Sequence, residues 1–130
     1  MTLLGFDHVQ LAMPPGGEAA ARAFYGGVLG LTEVPKPEPM RARGGLWFEA
    51  GPVAIHLGIE DGMRASAKAH PAVLVDELAP YLARIAAAGH AWREATELAG
   101  VQRGHVTDPF GNRIELIEVV APAAAATLVP

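Results

Sequence analysis

Thr107 to Glu118 reads T-D-P-F-G-N-R-I-E-L-I-E, and its two halves obey different rules. Asp108 to Asn112 is a turn: Pro109 presets φ, Gly111 supplies φ > 0, and the Asp and Asn side chains bond to nearby backbone. A strand follows over Asn112 to Val119, with Ile114 and Leu116 on one face and Arg113, Glu115 and Ile117 on the other. Glu115 is therefore a mid-strand carboxylate between apolar neighbours. Burying such a group without a partner is costly, so a cation or histidine from elsewhere in the chain is expected to meet it.

With 130 residues, the chain has the length of one domain. A formal charge of −4, with 18% charged residues and no clustered Lys/Arg stripe, leaves no electrostatic footprint for nucleic acid. The absence of cysteine excludes a disulfide framework, a thiol nucleophile and a Cys-based zinc site. Asp7 and His8 interrupt the N-terminal apolar stretch. No run approaches the ~18 apolar residues needed to span a bilayer. The expectation is a soluble, cytoplasmic protein with neither a membrane nor a nucleic-acid partner.

From the N-terminus, Phe6 to Met13 alternates as a half-buried strand, Val9 and Leu11 on one face and His8, Gln10 and Ala12 on the other. Pro14 to Gly17 breaks it, and Glu18 to Leu29 has helical spacing with Gly30 placed to cap its end. Leu31 to Val34 is a short strand, and the prolines at 35, 37 and 39 predict a loop over Pro35 to Arg43 that carries Arg41 and Arg43. Gly44 to Ala50 and Pro52 to Ile59 form a hairpin around Gly51, with His56 opposite the aliphatic stripe of Val53, Ile55, Leu57 and Ile59. Trp47 and Phe48 point to opposite faces, so one is expected to wall a cavity and the other to pack on the helix.

After a polar connector over Glu60 to Ala69, the pattern repeats. His70 to Val75 is a strand, Pro80 opens a helix carrying Tyr81, Leu82 and Ile85 that ends at Gly89, and Ala91 to Glu94, Val101 to Thr107 and Asn112 to Val119 are three more strands. His105 shares a face with Arg103 and Thr107 and reads first as a solvated strand position, with a cavity lining as the second reading. The Ala- and Pro-rich tail from Ala121 to Pro130 is expected to be loosely ordered. The chain thus divides into module one, about 5–60, module two, about 69–119, and the tail, 120–130, within a single domain.

Both halves read strand, helix, strand, strand, strand, so the fold class is α+β, built from two tandem βαβββ modules. His8 opens the first module and His56 lies in its last strand; His70 and Glu115 occupy the corresponding places in the second, separated by nearly the same length of chain. If the aliphatic faces pack on the helices, the opposite faces turn His8, His56, His70 and Glu115 towards one another, within a chain or across a dimer. Taken singly, each histidine is better explained by a strand cap or a core hydrogen bond. Together they form a donor set for zinc, nickel, manganese or iron, and a face of two histidines and one carboxylate is associated with non-haem iron.

The segments F-D-H-V-Q-L, A-F-Y-G-G-V-L-G-L, V-A-I-H-L, H-P-A-V-L-V-D and D-P-F-G-N-R-I-E-L-I-E resemble the vicinal oxygen chelate superfamily, from about Phe6 to Val119. That superfamily includes glyoxalase I, bleomycin-resistance proteins, fosfomycin-resistance enzymes, methylmalonyl-CoA epimerase and extradiol dioxygenases. The resemblance implies a cup-shaped, half-open mixed β-barrel with helices outside, commonly completed in a homodimer. It places a divalent metal at His8, His56, His70 and Glu115, with Glu115 also the candidate proton shuttle. The chain departs from glyoxalase I at His56, where Glu or Gln is common. Extradiol dioxygenases and fosfomycin-resistance enzymes match at His8, His70 and Glu115, but the former generally have longer chains. For the latter, only Arg103 and Arg113 offer phosphonate contacts in the second module.

The implied function is a metal-dependent enzyme that chelates neighbouring oxygens of a small substrate, of isomerase, lyase or dioxygenase type. The alternative is a metal-free binding protein of the bleomycin-resistance type that sequesters its ligand.

Overall fold

The computed structural model describes residues 1–119. The expectation for the tail falls outside the described residues. The chain separates into two compact units, the first running from Met1 to Ala65 with Pro109–Asn112, the second from Ser66 to Asp108 and onward from Arg113. Each carries one four-stranded sheet, and the two sheets share a plan.

In the first unit, β1 (Val9–Met13), β2 (Thr32–Val34), β3 (Leu46–Ala50) and β4 (Val53–Ile59) are ordered β1-β4-β3-β2. β1 runs parallel to β4, while β3 is antiparallel to both β4 and β2. The hairpin between β3 and β4 pivots on Gly51, whose φ of +55° suits glycine, and pairs Ala50 with Val53. The second unit repeats the plan with β5 (Ala72–Val75), β6 (Trp92–Ala95), β7 (Arg103–Thr107) and β8 (Arg113–Glu118), ordered β5-β8-β7-β6 with β5 parallel to β8. The α+β class and the two βαβββ modules are therefore observed.

The helices depart from the sequence reading in two places. Between Glu18 and Leu29 only α1 (Glu18–Ala21) is α-helical; Arg22–Val28 widens into a π-helix, with Leu29 N donating to Phe24 O at 2.9 Å. Gly26 and Gly27 lie inside this segment, where they weaken the α-helical preference. The wide turn buries both Phe24 and Tyr25, and Tyr25 stacks on Phe48 with 5.7 Å between ring centroids. Phe48 is thus the core residue of the Trp47–Phe48 pair. The Pro35 to Arg43 stretch holds one helical turn, α2 (Glu38–Arg41), which a proline in the first turn permits.

α3 (Ala79–Ala87) begins near Pro80 as expected, buries Ile85 and ends before Gly89, whose φ is +80°. At its start Leu78 N donates to Glu118 at 2.8 Å, so the end of β8 satisfies one of the free amides of the helix. The apolar positions of β8 behave as the alternation predicts, with Ile114 and Leu116 buried alongside Val106 and Val75. Among the described residues, no helix is long and apolar enough to cross a membrane.

The turn that precedes β8 groups with the first unit. Asn112 Nδ2 donates to Ala12 O at 2.8 Å, and the Phe110 ring lies so close to Gly17 that a Cβ there would come within 2.9 Å of it. A glycine at 17 is what lets this aromatic ring approach.

Candidate metal centre and ring column

Glu115 meets its expected partners in the second unit. Its backbone N donates to Pro71 O at 3.0 Å, which sets the residue beside the start of β5 and brings His70 next to it. His70 Nε2 lies 2.8 Å from Glu115 Oε1. The other ring nitrogen, Nδ1, is 2.5 Å from Lys68 O. A carbonyl only accepts, so Nδ1 carries hydrogen and Nε2 is the nitrogen presented to Glu115, the arrangement by which backbone carbonyls orient metal-ligating histidines.

Two further side chains join from β7. His105 is the cross-strand neighbour of Glu115, and its Nε2 is 3.5 Å from Oε1. Arg103, two positions earlier on the same face, donates from Nη1 to Glu115 Oε2 at 2.9 Å and from Nη2 to Glu97 at 3.0 Å. Its Nε is buried and has no hydrogen-bond partner among the described residues. The two carboxylate oxygens are thus differentiated: Oε2 is held by the guanidinium, and Oε1 faces two imidazoles. Burial alone would raise the Glu115 pKa, but hydrogen bonds from His70 and Arg103 overcome it and hold the pKa below the usual carboxylate value. Burial pushes the His105 pKa down, with the Glu115 charge opposing it, so its ring is held towards the neutral, ligating form.

One donor atom each from His70, His105 and Glu115 lie within 4.8 Å of one another. Donors about 2.0–2.2 Å from a shared zinc-like ion lie at most about 4.4 Å apart, so small side-chain rotations would close the set around one ion. The residues present therefore fit a divalent metal. Sequence reasoning ranked His105 as a solvated position; counting outward from the five-residue turn Asp108–Asn112 puts it opposite Glu115.

The other two predicted ligands meet in the first unit. His56 lies on β4 between Gln10 of β1 and Trp47 of β3. His8 stacks on one face of its ring, with centroids 4.1 Å apart and planes 16° apart, and Trp47 stacks on the other at 4.0 Å and 4°. Three rings thus form a column with His56 at its centre. His8 Nδ1 is 2.8 Å from Asp7 Oδ2. Burial, reinforced by the neighbouring His8, lowers the His56 pKa and keeps the central ring neutral. The column borders a cavity of about 630 Å³ that is also lined by Lys36, Arg43 and Glu49. The four predicted ligands are thus found as two pairs, His8 with His56 and His70 with Glu115, one in each unit.

No match was found among curated protein sequences. Among solved structures, a protein of the glyoxalase family from Bacillus anthracis is 42% identical, covers 91% of this chain and 97% of its own, and superposes with a TM-score of 0.86. The fosfomycin resistance protein FosX from Listeria monocytogenes shares the fold at 17% identity, with a TM-score of 0.77 over 98% of this chain and 99% of its own. A lactoylglutathione lyase from Agrobacterium tumefaciens does so at 23% identity, with a TM-score of 0.61 over 85% and 91%. A duplicated βαβββ plan, the strong likeness to the Bacillus protein and a sequence-profile match over residues 5–116 agree: the chain belongs to the Glyoxalase/Bleomycin resistance protein/Dioxygenase superfamily.

Proposed function

We propose that this protein is a divalent-metal-dependent enzyme acting on a small substrate that offers two neighbouring oxygens, with His70, His105 and Glu115 as ligands in the second unit. The observation that carries the reading is the shared approach of His70 Nε2 and His105 Nε2 to Glu115 Oε1, at 2.8 and 3.5 Å, while Arg103 holds the other oxygen. A bound ion would act as a Lewis acid, stabilising negative charge that develops on the substrate oxygens. Arg103 supports monodentate ligation by keeping Oε2 occupied. The Lys68 carbonyl engages His70 Nδ1 and so leaves Nε2, once free of its proton, to face the ion. Glu115, held as a carboxylate, is the group placed to accept a substrate proton. The reaction is of isomerase, lyase or dioxygenase type, and a homodimer is proposed for the assembled protein.

Metal content per chain tests this directly, measured by elemental analysis after loading with zinc, nickel, manganese or ferrous iron. About one ion per chain is expected in the parent, with loss in Glu115→Ala and at least tenfold weaker retention in His105→Ala, since removing even a group that only supports a ligand costs about tenfold or more. His8→Ala and His56→Ala belong in the same series, and metal loss there would add the first-unit histidines to the ligand set. Iron would direct activity assays to dioxygen chemistry, the other ions to isomerisation and lyase reactions. A parent protein that holds none of these ions overturns the proposal.

A further inference from the structure

We infer that the cavity of the first unit is a binding site for a flat, conjugated ring, which extends the Trp47–His56–His8 column. All its lining residues belong to that unit, so the inference goes beyond the metal proposal and does not depend on it. At about 630 Å³, the cavity lies within the ordinary range for small-molecule sites.

Three features select flatness over other shapes. The rings of Trp47 and His56 are parallel to within 4°, so the column presents its end as a plane. On β4 the residues flanking His56 on the same face are Ala54 and Gly58, which keep the floor low on both sides of the ring. The Gln10 amide occupies the space beside Gly58, with Nε2 2.7 Å from where a Cβ would sit, and offers a hydrogen-bonding edge to an in-plane heteroatom. Trp47 is only half-buried although one of its faces is covered by His56, so it keeps accessible surface along the cavity.

The charges along the cavity do not favour an ion of either sign. Asp7 and Glu49 are matched by Lys36 and Arg43, so the formal charges along the cavity balance. Recognition therefore rests on stacking and shape.

The test uses the full chain stripped of metal with a chelator, so failure of the metal proposal cannot mimic failure of this one. The probes are 2-naphthol and its saturated counterpart decahydro-2-naphthol, which share the hydroxyl and differ in flatness. Trp47 and Trp92 supply two indole N–H signals for NMR, and a Trp92→Phe variant assigns them. 2-Naphthol is expected to shift the Trp47 signal saturably and leave Trp92 in place, with decahydro-2-naphthol at least about fivefold weaker, the scale of one aromatic pair. Trp47→Leu should abolish this preference, and Ala54→Leu, which raises the floor and keeps the indole, should weaken 2-naphthol binding. Equal affinity for the two probes, no saturable shift of the Trp47 signal, or an unaltered preference in a folded Trp47→Leu variant overturns the inference.

Discussion

Trp47 stands to His56 as His105 stands to Glu115: each lies on the strand beside its partner, directly across the ladder, on the same face of the same four-stranded plan. His8 and His70 complete the correspondence, each just ahead of its sheet's edge strand. The first unit fills these three positions with rings and the second with two imidazoles and a carboxylate. Burial disfavours charge at both central residues. It prevails at His56, which is held neutral, and loses at Glu115, where His70 and Arg103 donate hydrogen bonds. One strand plan thus supports a stack of rings in one copy and a charged, metal-competent cluster in the other, and at these three positions the difference lies in the side chains.

The comparison can be broken by truncating the two central residues. Glu115→Ala leaves the Arg103 guanidinium and its buried Nε facing an emptied site, so about 3 kcal/mol of stability should be lost, the low end for breaking a buried pair because Arg103 keeps Glu97. His56→Ala removes two stacking contacts and leaves a gap but strands no charge, and about 2 kcal/mol is expected. Urea unfolding of the metal-free proteins measures both. Should His56→Ala prove the costlier, the column would be the stronger of the two arrangements and the contrast would reverse.

Acid sharpens the same contrast. A folded His56 resists a proton that the unfolded imidazole accepts near its ordinary value of 6.5, so below that pH the unfolded state binds more protons and stability falls. His105 acts in the same direction and window. Glu115 differs: with its pKa lowered from 4.5, its contribution is present above that value and is lost only as pH falls through the lower folded one. Metal-free protein should therefore lose stability as pH falls from about 6.5 towards 4.5, and His56→Phe or His105→Phe should each flatten part of that slope. Glu115→Gln should act chiefly below it. Denaturation midpoints across this range report the windows, and a slope unchanged in both histidine variants would contradict their assignment.

Much of this arrangement could be read from the residues. Alternation alone separates Ile114 and Leu116 from Glu115, and the Asp108–Asn112 turn locates β8. The duplicated order of strands and helices, and the pairing of His70 with Glu115, also follow from pattern and spacing. His105 and the Trp47–His56 stack required one further step, the register of each hairpin. A two-residue turn at Gly51–Pro52 sets Trp47 against His56, and the five-residue turn sets His105 against Glu115. Ring orientation is another matter: whether Trp47 lies flat on its neighbour or turns aside depends on packing around it, which periodicity does not encode. The π-helix was hidden for a related reason, since tertiary burial of both Phe24 and Tyr25 overrides the local preference for α geometry.

The smallest expected effect concerns the helices, where the two units again differ. α3 is a regular α-helix, whereas its counterpart gives way to π geometry through Gly26 and Gly27. Gly27 is exposed, has a backbone conformation open to L residues, and nothing lies within 4 Å of where its Cβ would sit. Gly27→Ala should therefore stabilise the protein by about 0.5 kcal/mol, mainly by narrowing the unfolded ensemble. The prediction separates two origins of the wide turn. If burial of Phe24 and Tyr25 holds it, alanine fits the existing backbone and the gain is seen in urea. If the turn depends on glycine flexibility, alanine favours α geometry, the two aromatic side chains can no longer both face the core, and the same substitution destabilises.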